Sequence, residues 1–138
     1  MRSYFSTVLG VITVGVAVVL AGEMPPESYV KLMKDTNAAM QSLRGHVQAK
    51  DYDGMTGDAA ALKKLFAGVE AFWTVRKADD AIGFARTAGK AASALEAAAR
   101  TRDDDAVATA ARTVNGTCMG CHTAHRERLP DGSSQIKH

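Results

Sequence analysis

From residue 27 onward, apolar side chains return every three or four positions in four successive blocks, and no stretch keeps the strict alternation of a half-buried strand. The pattern predicts an all-α domain. The first block predicts a helix over 27–49, with Tyr29, Leu32, Met33, Thr36, Met40, Leu43 and Val47 on one stripe behind Pro25 and Pro26. Asp51-Tyr52-Asp53-Gly54 reads as a turn that leaves Met55 in a loop. A second helix over 58–77 then starts from an Asp58 N-cap and carries Leu62, Leu65, Phe66, Val69, Phe72 and Trp73. The third, over 80–100, follows the Ala78-Asp79-Asp80 break and buries mainly Ala81, Ile82, Ala85, Ala88, Ala92 and Leu95. Its small side chains let helices approach closely. The fourth, over 103–128, aligns Val107, Ala111, Val114, Cys118, Cys121, His122, His125 and Leu129 until Pro130-Asp131-Gly132 stops it. The polar tail beyond is expected to fray. Helices of this length with short connections pack as an antiparallel up-down four-helix bundle, whose cofactor sites are built from facing helices.

The segment ahead of the first block is of another kind. Arg2 is followed by an uncharged stretch from Ser3 to Gly22, almost wholly apolar between Val8 and Ala21. That is the pattern of an export signal over residues 1–21, with Val19 and Ala21 as the small residues before the cut. The apolar run falls short of the roughly 20 residues of a membrane span, so no stable span is expected once it is cleaved; an uncleaved segment leaves a membrane anchor. With no Cys near the cut, a lipoprotein anchor is excluded. The expected location is the periplasm, and residues 22–138 form one domain. The chain has 17 Lys+Arg against 15 Asp+Glu; the leader removes Arg2 alone, leaving about +1. No basic stripe with interleaved aromatics is present, which argues against nucleic acid as a partner.

The candidate chemistry lies in Cys118-Met119-Gly120-Cys121-His122. Two thiols three apart with an imidazole directly after them read as a covalent attachment site for a c-type haem. On a helix the three fall on one face, so two thioethers can hold the porphyrin edge while the imidazole reaches the iron. These are the only two cysteines, so no wider disulfide framework exists. A redox dithiol is the first rival, but such pairs open a helix after a strand and no strand is expected. A zinc site built from Cys118, Cys121, His122 and His125 is the second; adjacent ligands on a helix diverge by about 100°, which suits zinc badly. Gly116 and Gly120 weaken the fourth helix by roughly 0.5–1 kcal/mol each relative to Ala. They either let a macrocycle lie against the backbone or are tolerated interior glycines. His46, at the end of the first helix, is expected to face solvent, and Phe72 and Trp73 to be core.

Four helices with Cys-x-x-Cys-His on the last of them resemble the class II cytochromes c, the family of cytochrome c prime and its low-spin, methionine-ligated relatives. Arg126, four residues after His122, Phe72-Trp73, and Tyr29-Val30-Lys31-Leu32-Met33-Lys34-Asp35 extend the likeness over about Gly22 to Leu129. One departure is His125, where the family carries Phe or Tyr. The resemblance implies one haem c per chain, bound through Cys118 and Cys121, with His122 as proximal iron ligand. It also implies that the distal residue comes from the first helix. Met33 is the favoured ligand there and Met40 the alternative, with Met24 and Met55 less suited. Arg126 is a candidate to tune the imidazole from one turn away. The expected function is single-electron transfer without catalysis, through transient redox-protein partners, with a homodimer possible for the family. The alternative is a five-coordinate haem that binds nitric oxide or carbon monoxide.

Overall fold

A computed structural model describes residues 22–137; the expected export signal lies outside the described residues. Four helices fill most of the chain: α1 (Glu27–Ala49), α2 (Tyr52–Arg76), α3 (Asp79–Thr101) and α4 (Asp104–His125). They pack against one another as a four-helix bundle. Cross-helix pairs fix the directions. His46 and Asp58 join the end of α1 to the start of α2, Lys63–Glu96 and Arg86–Glu70 cross α2 and α3, and His125–Asp80 joins the end of α4 to the start of α3. Each helix therefore runs opposite to the one before it. Among the described residues no helix is long and apolar enough to cross a membrane.

The three connections are two residues each and share one geometry. Lys50, Lys77 and Arg102 stand in the left-handed region, with φ of 54°, 56° and 55°, and each N–H returns to a carbonyl of the last helical turn. An extended residue follows and caps the next helix. Asp51 accepts from the Gly54 N–H and Asp103 from the Ala106 N–H, whereas Ala78 has no side chain to do so.

The expected turn at 51–54 is thus the first turn of α2. Asp51, not Asp58, is the cap, and Met55 is buried at 1% exposure rather than in a loop. Gly54 makes this possible, because a Cβ there would stand 2.6 Å from the His46 ring that lies over the turn. His46 is correspondingly half-buried, its Nδ1 2.7 Å from Asp58, and not solvent-facing as expected.

The core runs between α2, α3 and their neighbours. Leu62, Phe66, Val69 and Trp73 of α2 meet Ala81, Ile82, Ala85, Ala88, Ala92 and Leu95 of α3, with Tyr29, Met40 and Leu43 of α1 and Val107 and Val114 of α4 at the flanks. Burying each large side chain contributes about 1.5–3 kcal/mol. The alanines let α2 and α3 close on each other as their pattern predicts. By contrast, close packing joins α1 to α2, α2 to α3 and α3 to α4, while α1 and α4 scarcely approach.

The C-terminal segment departs from expectation. α4 ends at His125, and Arg126–Arg128 (β1) pairs antiparallel with Ser134–Ile136 (β2), Arg126 opposite Ile136. Pro130-Asp131-Gly132 stops no helix; it turns a hairpin, with Gly132 at φ 86° and Asp131 accepting from the Ser133 N–H. Ile136, the apolar residue in a polar tail, is 3% exposed, and its backbone bridges Glu23. Burial of that one side chain is the physical reason the tail does not fray.

Candidate functional site

Where α1 and α4 stand apart, two adjoining cavities of about 220 and 140 Å³ open between them. Tyr29 and Met33 from α1 and Cys121 and His122 from α4 line both. Cys118 and Met40 line the larger, whose inner wall is Phe66 and Val69 of α2 with Phe84, Ala85 and Ala88 of α3. His125, Arg126, Trp73 and the β2 residues close the smaller one. The helix repeat explains the convergence: positions 118, 121 and 122 share one face of α4, and 29, 33, 36 and 40 share one face of α1.

Both thiols are half-buried, and neither is in a disulfide. Burial pushes the Cys118 thiol up, and burial together with the nearby Cys118 and Asp80 takes Cys121 to about 11. His122 moves the other way: burial, then the positive charge of Arg126, holds it below the usual imidazole value. Tyr29 is raised to about 12, chiefly by burial, despite the hydrogen bond it accepts from the Trp73 indole N–H at 3.0 Å. At neutral pH the site presents two protonated thiols, a neutral imidazole with a free lone pair and a neutral phenol. Apolar side chains make the inner wall, and polar groups such as Asn37, Arg44, Asn115 and Arg126 stand among the remaining lining residues.

Aromatic packing secures the α1 side. Tyr29 stacks on Phe72 at 3.7 Å and meets Trp73 edge-on, and the Arg76 guanidinium covers the other face of the cluster over the Phe72 ring. His125 joins this cluster: its ring is 4.8 Å from that of Trp73, and its Nε2 is 2.9 Å from Asp80. His125 is therefore directed at α3 and α2. Among the described residues no three His, Cys, Asp or Glu side chains gather as a metal cluster, so the four-ligand zinc arrangement has no geometry here. Phe72 and Trp73 belong to the core as expected.

The two helix glycines separate. A Cβ on Gly120 would stand 2.8 Å from the Phe84 ring, whereas one on Gly116 would meet nothing within 4 Å. The space beside Gly120 is taken by Phe84, an aromatic wall of the cavity, and Gly116 is a tolerated glycine. Sequence reasoning missed Phe84 because it lies off the alanine stripe of α3. It also missed Arg44, whose outward-facing position on α1 gave no signal, although it lines the larger cavity.

The donors suit a haem c: two unpaired thiols on adjacent turns, an imidazole one residue further, a thioether on the facing helix and a slot walled by aromatic and aliphatic groups. Met24 is 59% exposed and lines neither cavity, and Met55 is sealed in the core away from them. Comparison of the chain with protein-family models and with curated proteins finds no match to either.

Proposed function

We propose that this chain is an exported, single-haem c-type cytochrome of the class II kind that carries single electrons and transforms no substrate. The observation that carries the reading is that Cys118, Cys121 and His122 on α4 line the same slot as Met33 on α1. Such a haem supplies one-electron ferric/ferrous chemistry when bound. The chain's part is to hold and tune it. Cys118 and Cys121 would supply the thioether sulfurs, and His122, kept neutral by burial, would offer its lone pair to the iron. Met33 would supply a soft thioether ligand, since it lines both cavities with His122 where Met40 lines only the larger. Arg126 acts on the imidazole through its charge, disfavouring the imidazolium and so helping to keep the ring neutral. Phe66, Val69 and Phe84 exclude water from the inner edge. Met119, between the two cysteines and 61% exposed, marks the outer edge where electrons pass to transient redox partners through small, weak contacts. The uncharged N-terminal stretch supports a periplasmic location.

Optical and resonance Raman spectra of the exported protein, oxidised and reduced, test this reading. A six-coordinate low-spin haem is expected, and Met33→Ala should turn it high-spin. An unchanged spin state in that variant removes Met33 and directs the same substitution to Met40. A high-spin haem in the parent chain replaces electron transfer with the gas-binding alternative.

A further inference from the structure

The two cavities and a groove that continues from them between α1 and α4 have one electrostatic feature in common. Every fully charged side chain on their walls is an arginine: Arg44 on the larger cavity and the groove, Arg112 on the groove, Arg126 on the smaller cavity. Among the described residues no Asp or Glu lines any of the three. This is not the character of the surface at large, where Lys31, Lys50, Lys63, Arg76, Arg86 and Arg100 all pair with carboxylates.

Arg44 stands out among the three. It is the one cation on the larger cavity, where the other titratable groups, Tyr29, Cys118, Cys121 and His122, are uncharged at neutral pH; Arg112 faces it across the groove. Among the described residues its side-chain partner is the neutral carboxamide oxygen of Asn115, to which Nη2 donates at a long 3.4 Å. A guanidinium exposed at the mouth of this cavity and held by so weak a bond keeps its planar fork of donors for an anionic occupant.

We infer that Arg44 is the carboxylate anchor of this cavity, pairing with a propionate of the tetrapyrrole and so fixing which edge of the ring lies toward its end of α1. The inference rests on the haem reading above and adds a role for a residue outside the attachment motif. A guanidinium fits it better than an ammonium, because its planar fork meets both carboxylate oxygens.

The test uses the full chain, exported with haem-attachment machinery, beside Arg44→Gln and Arg44→Lys. Intact mass counts the haem, resonance Raman reads the propionate bending bands, and the pH dependence of the reduction potential reads the propionate's titration. All three proteins are expected to carry one haem. Arg44→Gln should move the bands and shift the titration upward by about one pH unit or more, since a neighbouring cation lowers a carboxyl pKa by about 1–3 units. Arg44→Lys should restore most of the titration. A Gln variant with one haem, unmoved bands and unmoved titration overturns the anchor and leaves the haem. A parent chain without haem overturns both, and mass alone reports it.

Discussion

The seam between α2 and α3 and the seam between α1 and α4 are built from different side chains, and the difference separates the part that is closely packed from the part that stays open. Between α2 and α3, alanines such as Ala81 and Ala92 let the backbones close until Leu62 and Leu95 are fully buried. Between α1 and α4 the facing residues are longer and softer, and the helices stand apart. Met33, Cys118, Cys121 and His122 remain partly exposed there, on the walls of open space. Arg44 reaches Asn115 across this seam, and beyond its far end Lys50 of the connection and Tyr52 of α2 both reach Asp104. The bundle closes along three seams and leaves the fourth open.

The largest expected effect separates the two seams outright. Replacing Cys118 and Cys121 together by Ala should take covalent haem from one per chain to none by intact mass, with the helical circular dichroism retained. Loss of helicity in that variant would mean that the open seam carries the fold after all. Next comes Leu62→Ala, expected to cost about 2–5 kcal/mol in urea unfolding because it leaves a cavity in the closed seam. Met33→Ala in the haem-free chain should cost less than that, roughly 1 kcal/mol, since Met33 is only partly buried and borders open space. Equal costs would erase the distinction.

Much of this contrast was legible in the sequence. The alanine stripe of α3 and the Cys-x-x-Cys-His face of α4 stand in the right places, and Tyr29, Met33 and Met40 fall on one stripe of α1 as the 3.6-residue repeat requires. What the periodicity could not carry was the ends of helices. Asp51-Tyr52-Asp53-Gly54 has the composition of a turn, yet Asp51 caps α2 while Gly54 admits the His46 ring, a long-range contact no local pattern encodes. The hairpin after His125 was missed for a related reason: Ile136 is a single apolar residue, and its burial against the end of the bundle depends on the tertiary fold. Within the site, the Cys-x-x-Cys-His motif was evident and the cavity walls were not. Phe84 and Arg44 reach the slot from positions outside the core stripes of their helices.

Two smaller substitutions sharpen the comparison at single residues. Gly120→Ala forces a Cβ against Phe84 and should destabilise by about 1–3 kcal/mol, whereas Gly116→Ala meets open space and should stabilise by about 0.5–1 kcal/mol through helix propensity. Thermal or urea unfolding of the pair reads opposite signs if the cavity wall is packed as described. An effect of similar size is expected on a connection. Ala78 caps α3 without a side chain, where Asp51 and Asp103 bond their helices, so Ala78→Asp should add about 1 kcal/mol in the same unfolding measurement. No gain there would mean that the three connections are less alike than their dihedral angles.

The intact mass of the exported chain, with its free thiols counted under denaturing conditions, tests the central claim most directly. The mass of the mature polypeptide plus one haem and no titratable thiol is the predicted result. A colourless protein of polypeptide mass alone, with Cys118 and Cys121 both free, would contradict it.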